Sequence, residues 1–227
     1  MSDVIILAAD LVGPFVVQGF NGLHLLTTDG NRPFSEDRNG LQLGEAAAAV
    51  VVSSSPGPLR VRGVGLDAEG FAVTRPSQAG RSLKQACEMI PELREKPPEL
   101  VIAHGTGTLL NDSIEDQVFS EIFADVEKKP LITCTKWSVG HTLGASGAID
   151  FIAACEALKR QETFTIAKTE KADPLFKCQY LTSGTRSELS RPLKSVLVSS
   201  LGFGGVHAAL LLDRQDKRQD KRQDIGS

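Results

Sequence analysis

The sequence predicts an α/β protein in which βαβ units surround a mostly parallel sheet. Three observations carry this expectation. Short β-branched runs alternate with stretches whose apolar residues recur at helical spacing. The chain has 21 Gly against 5% aromatic residues, the balance of a backbone that makes many tight turns. Its 227 residues, 41% apolar and 23% charged, suffice for a substantial core and exclude disulfide scaffolds and disordered chains. The formal net charge of -3 gives no reason to expect nucleic acid or an acidic membrane as partner.

The elements follow in order. VIILAAD, Val4 to Asp10, is short and β-branched and reads as a buried strand. GFNGLHLLT, Gly19 to Thr27, reads as a short helix, and Thr27 to Gly40 as a loop dense in turn formers. GEAAAAVVVSS, Gly44 to Ser54, turns from small residues into a valine strand. SSSPGP breaks it, and LRVRGVGL, Leu59 to Leu66, alternates like a half-exposed strand. A helix over Gly80 to Glu92 precedes the strand ELVIAHG, Glu99 to Gly105. A second helix runs from about Asp112 to Val126, with Ile114, Val118, Ile122 and Phe123 on one face. The strand PLITCT, Pro130 to Thr135, leads to a third helix over Leu143 to Lys159. Two last strands, Ser195 to Gly202 and His207 to Asp213, are joined by GFGGV. Beyond them RQDK repeats without an apolar residue and reads as a solvated tail.

Cys87, Cys134, Cys155 and Cys178 form no CxxC pair and no metal-finger spacing with histidine, so they read as reduced thiols of a cytoplasmic protein. No metal or cofactor is expected. No apolar run reaches membrane-helix length, and Met1 is followed by Ser, Asp and Val rather than the basic start of a secretory leader.

Of the four histidines, three fall in glycine-rich turns at strand ends: His104 in HGTGT, with Thr106 and Thr108, His141 in GHTLGASG, and His207 in GFGGVH. Open α/β sheets bind ligands beyond the carboxyl ends of their strands, where such turns lie, so the three suggest one shared site. Asp112 and Glu115 open the helix after His104, where the plainer reading is favourable charge at a helix N-terminus. Lys136, just past the next strand, can be drawn inward only with a carboxylate partner, and Glu115 is the obvious one.

HGTGTLLNDSIED, TKWSVGHTLGASGAIDF and SSLGFGGVHAAL occur in the order and at about the spacing of three signature segments of the C-terminal half of the β-ketoacyl synthases, which the chain resembles. NRPFSEDRNGLQLGEAAAAVVV resembles a fourth. The resemblance implies the thiolase-like fold, two βαβαβαββ halves stacked as layered sheets. It implies 3-oxoacyl-[acyl carrier protein] synthase chemistry: an acyl chain moves from acyl carrier protein onto a cysteine, a malonyl thioester is decarboxylated, and the two are condensed, in fatty-acid or polyketide synthesis. By position, His104 and His141 would hold the malonyl thioester carbonyl and stabilise the enolate. Lys136, paired with Glu115, would tune the field around them, and Phe203 would gate the acyl pocket beside Gly204, its backbone N–H serving an oxyanion hole. Acyl carrier protein thioesters are the implied partners, in a homo- or hetero-oligomer.

The family's nucleophilic cysteine, at a helix entrance, would align upstream of Met1, and none of the four cysteines replaces it. The resemblance therefore implies a C-terminal domain over 55–213, a remnant of the N-terminal half over 1–54, and a tail over 214–227. Two alternatives accompany the enzyme: a non-catalytic partner like the chain-length-determining subunits of these synthases, or an inactive fragment needing a separate N-terminal half. The sequence also departs from the family pattern. Ala46, Ala47 and Ala48 follow Gly44 and Glu45 where the family usually has Gly-Ala-Gly, and Val206 and His207 stand where it usually has Thr and Asn.

Overall fold

The computed structural model describes residues 3–75, 77, 79–185 and 191–215. Two separate sheets organise them. Strand β1 (Asp3–Asp10) pairs antiparallel with β2 (Ala46–Ser53), in register from Asp3 opposite Ser53 to Asp10 opposite Ala46. Both strands fall where their β-branched runs predict, but the expected burial of β1 fails: Ile5 is 66% exposed and Leu7 75%. A β-branched run dictates extended backbone, whereas burial needs a second layer on each face. Only one face has one, where β2 meets helix α6 (Ser146–Arg160). Ala46, Ala48 and Val50 lie on that face and are half-buried, and Ala47, Ala49 and Val51 lie on the open one.

Between the two strands, helix α1 spans Pro14–Gly22, earlier than expected. Pro14 presets the helical φ at the first position, and Gly19 and Gly22 belong to the last turns rather than the start. The expected loop over 27–40 contains no helix or strand segment.

The second sheet has six strands in the order β3-β8-β7-β4-β5-β6. Strands β4 (Leu100–Ile102), β5 (Leu131–Thr133), β6 (Gln179–Tyr180) and β7 (Ser195–Gly202) run parallel, as the alternation of elements predicts. The other end is antiparallel. β7 and β8 (Val206–Arg214) are joined by only Phe203, Gly204 and Gly205, too short for a crossover, and β8 pairs antiparallel in turn with β3 (Leu59–Ala68). The two glycines take φ of +86° and +75° to close that turn.

Helices cover both faces. On one, α2 (Arg81–Glu88) and α4 (Leu109–Ile122) bury Val101 with Ile114, Val118 and Phe119. On the other, α6 (Ser146–Arg160) buries Leu100 and Ile102 with Ala154 and Leu158. The alternation of β4 thus feeds two half-cores. The predicted helix over Gly80 to Glu92 stops at Glu88 as α2, short of Pro91, and a separate single turn, α3 (Glu92–Glu95), follows the proline. The predicted third helix begins as a 3₁₀ turn, Leu143–Ala145, before α6. Three short elements escaped prediction: α3, β6, and α5 (Lys136–Val139).

β3 is half-exposed, as its alternation predicts, with glycine rather than valine on the inner face. Gly63 and Gly65 face α2, while Val64 and Leu66 are 57% and 59% exposed. A Cβ on Gly65 would stand 1.7 Å from the carbonyl oxygen of Ala86, so this helix approaches to backbone contact. β8 continues one residue into the expected tail, to Arg214, and Gln215 donates its backbone N–H to Pro58. The rest of the tail, 216–227, lies outside the described residues.

Candidate active site

The HGTGT turn leaves the carboxyl end of β4 and doubles back into α4. Its fold is dictated by Glu115. The backbone N–H groups of His104 and Gly105 donate to its two carboxylate oxygens at 2.8 and 2.7 Å, joined by Asn111 Nδ2 at 3.0 Å and Ser199 Oγ at 2.9 Å. Glu115 therefore clamps the turn and is not the partner of Lys136, contrary to the sequence expectation. The sequence made Glu115 the obvious carboxylate for the lysine, but every hydrogen-bond donor to it belongs to the turn itself or its supports. Complete burial pushes the Glu115 carboxyl up to about 7, against the opposing pull of these donors.

Asp112 sits in the first turn of α4, as charge complementarity to the helix predicts, but its oxygens serve other segments. They accept from Phe34 N at 2.7 Å and Gly107 N at 3.2 Å, tying the Arg-Pro-Phe loop to the HGTGT turn, with Arg38 Nε at 3.9 Å. Burial pushes its pKa up.

Lys136 opens α5 and is 1% exposed. Its Nζ donates to Asp150 Oδ2 at 3.0 Å, and the hydroxyl of Thr135 donates to the other oxygen of that carboxylate. Asp150 lies one turn into α6, where helical register points it back at the end of β5. A single carboxylate inside GAIDFIAAC was the signal in the sequence for this partner.

The turn carrying His141 rests on a distant segment. His141 N donates to Gln42 O at 2.7 Å and Gly44 N returns to His141 O at 3.0 Å. A Cβ on Gly44 would fall 2.0 Å from Val139 O, so the glycine is required for this contact. Asp10, at the end of β1, accepts Gly144 N–H at 2.9 Å in the same turn. His141 Nδ1 accepts from Leu143 N–H at 3.1 Å, which assigns the proton of the neutral ring to Nε2.

The rings of His104 and His141 meet edge to face, centroids 5.1 Å apart. Burial, reinforced by the Lys136 charge, pushes His141 down to about 3 and His104 well below its ordinary value. Both are neutral at pH 7. A cleft of about 580 Å³ opens before them, reached also by Thr106, Thr108, Phe203 and His207. Three turns thus bring their histidines to one site, as their common setting predicts. Glu115, Asp112 and Lys136 are buried outside the cleft lining, and Gly204 is exposed, donating its N–H to Val73 O at 2.6 Å. Phe203, 51% exposed, stacks on Phe20 of α1 at 5.4 Å, a contact no sequence signal announced.

Residues 59–169 match the family described as "Beta-ketoacyl synthase, C-terminal domain". The chain carries a β-ketoacyl synthase C-terminal domain. It is 29% identical over 204 residues to nodulation protein E of Rhizobium meliloti, covering 86% of this chain and 50% of that one. It is 29% identical over 239 residues to a putative mitochondrial 3-oxoacyl-[acyl-carrier-protein] synthase of Schizosaccharomyces pombe, covering 92% and 54%. Among solved structures it is similar to a ketosynthase in complex with its chain length factor from Xenorhabdus doucetiae, at TM-score 0.83 and 29% identity over 94% of this chain and 53% of that one. A β-ketoacyl synthase from Burkholderia phymatum matches at TM-score 0.83 and 25% identity, over 94% and 55%. The chain spans about half the length of the curated relatives it matches.

The expected thiolase-like architecture is therefore present. Among the described residues no cysteine lines the cleft: Cys87 and Cys134 belong to the core, where burial pushes Cys87 up to about 12, and Cys155 and Cys178 are half-buried. No group of three or more His, Cys, Asp or Glu among them is placed to hold a metal, and no helix is long and apolar enough to cross a membrane.

Proposed function

We propose that the cleft decarboxylates a malonyl thioester presented by an acyl carrier protein, as one part of a 3-oxoacyl synthase site whose nucleophilic cysteine comes from another polypeptide segment. The observation that carries the reading is the pair of neutral imidazoles, 5.1 Å apart, at the floor of one cleft. In decarboxylation the bond from the α-carbon to the carboxylate breaks and carbon dioxide leaves. The electron pair moves into an enolate whose charge rests on the thioester oxygen. His141 Nε2–H donates to that oxygen, with His104 beside it, and stabilises charge that exists only as the transition state forms. In condensation the enolate carbon attacks an acyl-cysteine and expels the thiolate. Without that partner the enolate takes a proton from water and leaves an acetyl thioester. Phe203 guards the acyl pocket and lends its backbone N–H to the acyl oxyanion.

Carbon dioxide release from malonyl-pantetheine by the purified chain, compared with His104→Ala, tests this. A fall of about 10²-fold is expected, and equal rates overturn it. The absence of a cysteine from the cleft supports a second reading, a non-catalytic partner of the chain-length-factor type; no release above background by the unaltered chain would favour it. In either case the open apolar face of β1 and β2 calls for association, with a second copy or with a chain supplying further strands, in a cytoplasmic setting. Sedimentation of the purified chain should show more than one protomer, and a compact monomer with a cooperative melt overturns association.

A further inference from the structure

His207 is fully buried in β8 and reaches the same cleft as His104 and His141. Its Nδ1 stands 3.2 Å from the carbonyl oxygen of Gly205. A carbonyl only accepts, so Nδ1 carries the proton of the neutral ring and Nε2 presents a lone pair. That Nε2 is buried without a hydrogen-bond partner among the described residues. Its acidic neighbours are engaged elsewhere: Asp67 accepts from Ser82, and Glu69 from Ser77 N and Oγ. Burial holds the ring below its ordinary pKa, so it stays an acceptor rather than a cation. His141 has the opposite polarity, with Nδ1 satisfied and Nε2–H free to donate. His141 thus holds a donor matched to a carbonyl, and His207, lining the same cleft, holds an acceptor that a thioester carbonyl cannot satisfy.

We infer that His207 is a specificity-determining residue that accepts a hydrogen bond from a hydroxyl on the bound acyl group, so that the site prefers hydroxyacyl thioesters over plain hydrocarbon ones. The inference rests on the acyl-thioester reading above. A hydroxyl on the acyl chain completes the acceptor that is already buried and unpaired, a gain that a hydrocarbon chain cannot supply. The pantetheine arm is common to both ligands and does not enter the comparison.

Calorimetric titration of the intact chain with S-butyryl-pantetheine and its 2-hydroxy and 3-hydroxy counterparts tests it. One hydroxylated thioester should bind about tenfold tighter than the butyryl compound. His207→Phe should abolish that preference, so that the hydroxylated and butyryl compounds bind within about twofold of each other. His207→Gln, which keeps a side-chain acceptor, should retain part of it. For the unaltered chain, ¹⁵N correlation spectra should place the His207 proton on Nδ1 and shift its Nε2 signal with the preferred hydroxyl compound only. Equal affinities, a preference that survives His207→Phe, or a proton on Nε2 each overturn the assignment while leaving acyl-thioester binding intact. Binding of none of the three overturns that underlying reading and this one with it.

Discussion

Strand β4 holds Leu100, Val101 and Ile102 at 0% exposure, whereas in β1 Ile5 and Leu7 are 66% and 75% exposed. The two strands have the same kind of residue and opposite surroundings. β4 pairs with a strand on each side and has a helix on each face. β1 pairs on one edge, with β2 alone, and leaves one face open. Apolar composition therefore selects the extended conformation in both, and neighbouring layers alone decide whether the side chains leave water. The candidate site straddles the contrast, since His104 comes from the buried sheet and His141 is seated on residues 42–44, next to the exposed one.

The contrast can be broken most severely at the buried ion pair. Lys136→Ala strands Asp150 without its cation in the interior and should cost about 3–5 kcal/mol in urea unfolding. The exposed sheet contains nothing comparable. A second large effect appears with pH. The folded His141 pKa is depressed to about 3 from an ordinary 6.5, so between these values the unfolded chain binds a proton that the folded chain refuses. Stability should fall as pH falls through that window, and His141→Gln should remove this part of the slope in melts from pH 7 to 4.

Gly65→Ala drives a methyl onto the Ala86 carbonyl and should cost about 1–3 kcal/mol, read as a lower melting temperature. Asp10→Ala, which removes the acceptor for Gly144 N–H, should cost about 1 kcal/mol and slow carbon dioxide release through a looser His141 turn. Leu7→Lys on the open face should change unfolding free energy by less than about 0.5 kcal/mol while shifting sedimentation towards monomer. A cost above about 2 kcal/mol would show that the face is covered within one chain.

Much of this was legible in the sequence. The alternation of runs located most of the strands and major helices because local periodicity survives folding, and glycine-flanked histidines at strand ends marked one cleft because parallel strands share a carboxyl edge. What failed was contact between segments. Lys136 finds Asp150 rather than Glu115 because the backbone of the HGTGT turn already occupies the Glu115 carboxylate, while helical register in α6 turns Asp150 towards the lysine. β3 presents glycine rather than valine to α2 because the helix approaches too closely for any side chain. Phe20 meets Phe203 across a distance in sequence that no periodicity spans.

The bridge between Leu43 and His141 has a kinetic consequence. It closes a loop of roughly a hundred residues, and closure of so long a loop becomes favourable only once intervening structure has shortened it. The turns of β4 and α4 around His104 close locally and can form early. The histidine pair should therefore be among the last features to mature during folding, and a chain arrested before the N-terminal segment docks would hold a finished core beside an unassembled site.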